Sequence, residues 1–128
     1  MSYYISKFVG GPFEAAIERT KAELKKEGFG VLTEIDVKKT LKDKLGVDFR
    51  NYRILGSCNP PFAYQALKTE DKIGLMLPCN VIVQETADGR VEVAAIDPLA
   101  SMQSVRNPAL EPVGIEVRAR LQKVIEGL

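Results

Sequence analysis

The chain has only two cysteines, and they lie in two similar segments, Cys58-Asn59-Pro60-Pro61 and Leu77-Pro78-Cys79-Asn80. Histidine is absent. Thiols, carboxamides and nearby carboxylates are therefore the groups left for chemistry. Ser-His-Asp and Cys-His nucleophiles are excluded, as are zinc sites of the His-containing types. Two cysteines cannot fill a four-cysteine zinc or iron–sulfur site within one chain. There is no Walker loop and no Gly-x-Gly-x-x-Gly run, and Gly28-Phe29-Gly30 follows a helix rather than a strand, the wrong context for nucleotide phosphates. No metal and no cofactor are expected.

Each of the remaining groups has a bland and a chemical reading. Cys58 precedes a helix start, where amide dipoles favour a thiolate. The preferred reading of Cys58 and Cys79 is nonetheless a small hydrophobe at a strand end. Asn59 reads first as the helix cap. Asn80 falls inside a strand and must satisfy several donors and acceptors, so it bonds backbone or faces a ligand. Asp97, before Pro98, most often starts a turn; beside two carboxamides it could instead hold a polar ligand.

The elements that position these residues follow from periodicity and punctuation. Residues 3–9 alternate loosely and read as a strand. Pro12 suits the first position of a helix whose inner face is Phe13, Ala16, Ile17, Thr20 and Leu24, and Gly28 and Gly30 end it. Residues 29–35 are a second strand. Asp36 caps a helix with Val37, Leu41 and Leu45 on one face, and Gly46 stops it. Tyr52 to Ser57 is a third strand. A helix starts at Pro60 with Ala63, Ala66 and Leu67 inward, and Thr69 caps a further turn through Leu75. Cys79 to Thr86 and Arg90 to Asp97 are strands joined by Asp88-Gly89, a strong hairpin signal. A loop with three prolines leads to a last helix beginning near Glu111-Pro112, with Val113, Val117, Leu121, Val124 and Leu128 as its apolar stripe. The order β-α-β-α-β-α-β-β-α, with an antiparallel hairpin and amphipathic helices, predicts an α+β fold with helices on one face of the sheet.

A two-residue turn at Asp88-Gly89 sets Thr86 opposite Val91, Glu85 opposite Glu92 and Asn80 opposite Asp97. On that register Val81, Val83, Ala94 and Ile96 share a face, and Arg53 could neutralise the Glu85–Glu92 pair. Asn80 and Asp97 then meet at the open end of the hairpin. If the third strand aligns there, Cys58, Asn59, Cys79, Asn80 and Asp97 converge as a ligand-binding site.

Composition narrows the partners. At 128 residues, 45% apolar and 27% charged, the chain is one soluble domain. Its 18 basic and 17 acidic residues leave a net charge of +1 and no field for nucleic acid or an acidic membrane. Lys38, Lys39, Lys42 and Lys44 are interrupted by Asp43 and follow Asp36, and they read as a solvated helix face. No segment is a membrane span, and the N-terminal residues lack a secretory pattern. A cytoplasmic location with reduced thiols is expected.

Several of these segments also carry a family resemblance: Phe13-Glu14-Ala15-Ala16, Phe29-Gly30-Val31, Cys58-Asn59-Pro60, Leu77-Pro78-Cys79-Asn80-Val81 and Asp97-Pro98. Their combination resembles the Domain of Unknown Function 302 family over nearly the whole chain. The resemblance implies a compact α+β domain grouped with the TATA-binding-protein-like folds, a matter of topology that implies no DNA binding. It implies a homodimer as the partner and carries no catalytic residues. The leading functional expectation is a small polar ligand held at the two Cys-Asn segments. The alternative is a thiol-dependent or redox-responsive protein using Cys58 or Cys79. A third is a homodimeric interaction module that uses the sheet face opposite the helices.

Overall fold

The computed structural model of the chain describes residues 2–128. Met1, the first residue of the N-terminal segment read above, lies outside them. The elements are β1 (Tyr4–Val9), α1 (Phe13–Lys26), β2 (Gly30–Asp36), α2 (Val37–Leu45), β3 (Tyr52–Cys58) and α3 (Pro60–Thr69). A 3₁₀ segment over Asp71–Met76 follows, then β4 (Cys79–Glu85), β5 (Val91–Ile96), the single turn α4 (Pro98–Ser101) and α5 (Glu111–Glu126). The five strands form one sheet, ordered β1-β5-β4-β3-β2, and every neighbouring pair is antiparallel.

The expected α+β order is the observed one, and its local causes are visible. All five residues of the α1 stripe, Phe13, Ala16, Ile17, Thr20 and Leu24, are buried. Asp36 caps α2, its side chain accepting from the Lys39 amide at 3.0 Å, and Gly46 closes the helix with φ of 67°. The lysines of α2 stay at the surface, Lys39 paired with Asp43 and Lys42 with Asp48. Along β4 and β5 burial alternates residue by residue: Val81, Val83, Val91, Val93 and Ala95 point into the core, while Ile82, Gln84, Glu92 and Ala94 point away. The core lies between that inner face and α1 with α5, the latter contributing Val117, Leu121, Val124 and Ile125.

Three local expectations are corrected. The turn after α3 starts from Glu70, whose side chain makes no cap bond, and not from Thr69, whose hydroxyl donates back to Gln65 O. The proline-rich loop contains α4 and two short 3₁₀ turns, because Asp97 and Asn107 each bond an amide two residues on, Leu99 and Ala109.

The third correction concerns the hairpin. The loop between β4 and β5 has three residues, not two: Thr86 N donates to Arg90 O, and Gly89 takes the left-handed φ of 83°. The register moves by one, so Gln84 faces Glu92 and Glu85 faces Val91. A one-residue slip exchanges the faces of one strand against the other. The Glu85–Glu92 repulsion therefore never arises, and Gln84 Nε2 donates to Glu92 Oε1 at 2.8 Å. Val81 and Val83 share their face with Val93 and Ala95, while Ala94 and Ile96 lie on the other face with Ile82. Arg53 does point away from Tyr52 and Ile54, but it neutralises Glu14, Glu34 and Asp36 instead.

Gly56 lies where β3 is tightly enclosed by β2 and the segment before β4. A Cβ there would lie 2.1 Å from Thr33 Oγ1 and 2.9 Å from Pro78 Cγ. The threonine can turn, but the proline ring cannot move independently of its backbone. Gly56→Ala is expected to cost about 1–2 kcal/mol through overpacking, read as a lower urea midpoint at unchanged m-value. An unchanged midpoint would show that the β2 edge yields freely.

Candidate functional site

The ends of β3 and β4 meet where α3 begins. Ser57 pairs with Cys79 in the ladder, so Cys58 is one residue from the direct neighbour of Cys79. Both are free thiols, Cys79 buried and Cys58 half-buried. They line one cavity of about 320 Å³. Its other walls come from Phe29, from Phe62 and Ala63 on α3, from Leu77, and from Val113 and Val117 on α5.

The mouth of the cavity is apolar as well. β2 and β3 are out of step between Val31 and Thr33, and Leu32 is the extra residue of that bulge. Bulges re-aim a side chain, and here Leu32 lines the cavity while 68% exposed. Leu67 of α3 lines it too, at 44% exposure.

The polar groups in the wall already have partners. Ser57 Oγ donates to Cys79 O at 2.7 Å. Asn59 occupies the N-cap position of α3 but does not cap it with its side chain. Its Nδ2 donates instead to Glu27 O at 3.1 Å, tying the start of α3 to the turn after α1. Gly28, with φ of 87°, leaves room for that bond, since a Cβ there would sit 3.2 Å from Asn59 Nδ2. Arg120 donates to the same carbonyl at 3.3 Å. Burial pushes the Cys79 thiol up to about 11, with the neighbouring Cys58 adding to the effect.

Of the five residues expected to converge, Cys58, Asn59 and Cys79 share the cavity. Asn80 does not reach it. It follows Cys79 in the same strand and so emerges on the opposite face, beside Ile82 and Tyr4. Asp97 is buried elsewhere, accepting from the Leu99 amide at 3.0 Å and from Arg118 Nε at 3.0 Å, which fixes α4 against α5. Sequence reasoning passed over Phe29, Phe62 and Leu32 as walls. Ala63, Val113 and Val117 were legible as inward residues, but not as the lining of a space, and Leu67, also expected to face inward, stands exposed at the mouth. Among the described residues, no group of three or more His, Cys, Asp or Glu side chains gathers as a metal site, and no helix is long and apolar enough to cross a membrane.

Comparison with known proteins adds a family and a fold. The family described as "Domain of unknown function DUF302" matches residues 5–128. Among solved structures, the chain is similar to an uncharacterized conserved DUF302 protein from Bacillus stearothermophilus, at 29% identity and a TM-score of 0.92, over 98% of each chain. No curated protein matches it.

Proposed function

The chain belongs to the DUF302 family, a membership that carries no activity with it, and we propose from its cavity that it binds one small, largely apolar molecule beside Cys58 and Cys79. The observation that carries this reading is the cavity itself. At about 320 Å³ it falls at the lower end of small-molecule sites, which are mostly apolar and few per protein. Ser57 and Asn59 spend their donors on backbone carbonyls. What remains facing the space is hydrocarbon and sulfur. The small polar ligand expected from the two Cys-Asn segments fits this wall less well than an uncharged aromatic or a short acyl chain.

Ala63→Phe tests the reading by filling the space from α3. N-phenyl-1-naphthylamine, an uncharged fluorescent probe, should bind saturably to the native protein. The variant should lose at least ~10-fold in affinity, about 1.4 kcal/mol, while keeping its melting temperature. Bound probe should also slow alkylation of Cys58 by iodoacetamide. Equal probe affinity in the two proteins would remove the proposal.

The thiol-dependent alternative rests on Cys58. Cys79, with its pKa near 11, is a neutral thiol at physiological pH and no nucleophile. Rapid alkylation of native Cys58 at neutral pH is the result that would favour it.

A further inference from the structure

The sheet face away from α1 and α5 is polar at its ends but apolar across its middle, where a solvated antiparallel sheet would alternate to polar residues. Residues paired across strands share a face, so one row runs Ile35, Ile54, Ile82, Ala94, Ser6 across all five strands. That row holds no charge. Phe8 and Tyr4, in the rows on either side of it, are 45% and 46% exposed. We propose that this face binds a second copy of the chain, forming a two-fold dimer in which β4 of one copy packs on β4 of the other.

Two observations select a second copy as the occupant. The first is area. Five strands ~4.8 Å apart, each about six residues at ~3.3 Å, make a flat footprint of ~480 Å². Two facing footprints reach ~960 Å² before side-chain relief is counted, about the ~1,000 Å² that a specific interface needs. The second is charge. Arg50 lies on the β3 side of β4, its guanidinium 5.4 Å from the Tyr52 ring and its Nε donating to Gln84 Oε1 at 2.9 Å. Glu92 lies on the β5 side and accepts from Gln84 Nε2 at 2.8 Å. Gln84 of the central strand thus sits between a cation and an anion.

A two-fold axis along β4 lays the β3 side of one copy over the β5 side of the other. It sets each Arg50 against the other copy's Glu92, and each Ile54 against the other copy's Ala94. The strands stay near parallel to their counterparts, the aligned geometry of packed sheets. A surface that is apolar at its centre and charge-complementary to itself under rotation is the isologous kind.

The test is the mass in solution. Sedimentation at micromolar concentration should give twice the 14.1 kDa of the chain. Ile82→Lys should give a monomer with an unchanged circular dichroism spectrum. Arg50→Glu and Glu92→Arg, made separately, should each weaken the dimer at least ~10-fold by facing like charges. Mixing those two variants should restore it, because the new acid then meets the new base and the surviving Arg50 meets the surviving Glu92. A monomeric native protein, or a dimer indifferent to Ile82→Lys, overturns the proposal. Should Ile82→Lys fail to fold, the charge variants decide alone: a native dimer that neither change weakens, or a mixture that stays monomeric, rules out the two-fold along β4.

Discussion

Between pH 9 and pH 11 the native protein should lose about 2 kcal/mol of stability through Cys79 alone. The thiol has an ordinary value of 9.0 and is pushed up to about 11 by burial. A thiol ionises more readily once the chain unfolds, so in this window the unfolded state binds fewer protons than the native one. Stability then falls as pH rises, by about 1 kcal/mol for each pH unit between the two values, below the limit of about 1.4 set by one whole proton. Below about pH 8 both states hold the proton and the contribution is constant. The check is urea denaturation at pH 8 and pH 11 of the native chain and of Cys79→Ala. Every other titratable group is present in both proteins, so the difference between the two pH dependences reports Cys79 together with its coupling to Cys58. The variant should begin less stable at pH 8, because a buried group is lost, and overtake the native chain near the alkaline end. Parallel curves would mean that Cys79 ionises without penalty, and that water reaches the cavity floor.

Arg53→Ala should cost about 2–3 kcal/mol near neutral pH, more than most surface ion pairs, whose removal costs ~1 kcal/mol or less. Arg53 is the hub of a cluster. Its guanidinium meets Glu34 at 2.6 Å, Glu14 at 2.9 Å and Asp36 at 3.6 Å, and its side chain is only 14% exposed. Lys21 supports Glu34 from α1 at 2.7 Å. Truncation would leave three carboxylates together with only Lys21 to offset them, and breaking a well-buried pair costs 3–5 kcal/mol. The figure here is lower because Glu14 and Asp36 reach solvent. The pH dependence has a definite sign. The hydrogen bond from Lys21, then that from Arg53, hold Glu34 below its ordinary 4.5. In the native chain that contribution is present above pH 4.5 and lost as pH falls through the lowered value. In Arg53→Ala the deficit should be largest above pH 5 and should shrink on acidification, as protonation relieves the repulsion. Denaturation midpoints at pH 7 and pH 4 measure it. A deficit independent of pH would assign the loss to packing of the arginine stem over Phe13, whose ring lies 5.8 Å from the guanidinium.

How much was legible depended on the range of the cause. The α1 stripe, the Asp36 cap, the Gly46 stop and the prolines opening α3 act within one helical turn, and all were readable. The hairpin was found but misregistered, because Asp88-Gly89 fits both a two-residue turn and the end of a three-residue loop with glycine in the left-handed region. The choice is made by packing: the observed register buries Val81, Val83, Val93 and Ala95 together beneath α1 and α5. Asn59 illustrates the same limit. Its position before two prolines identified the helix start, but its side chain is taken by Glu27 O, a group 32 residues away.

The sequence by itself determined the order of elements, the inward stripes of α1 and α5, the absence of histidine chemistry and the family. These follow from residue type and spacing along the chain. The apolar stripe of α2 stays at the surface, with Leu45 exposed. Tertiary structure alone decided that Cys58, Asn59 and Cys79 share an apolar space while Asn80 turns to the opposite face and Asp97 is spent on Arg118. The reason is that adjacent strand residues diverge to opposite faces. Which face becomes a cavity wall depends on what α3 and α5 bring across it, and no local spacing encodes that.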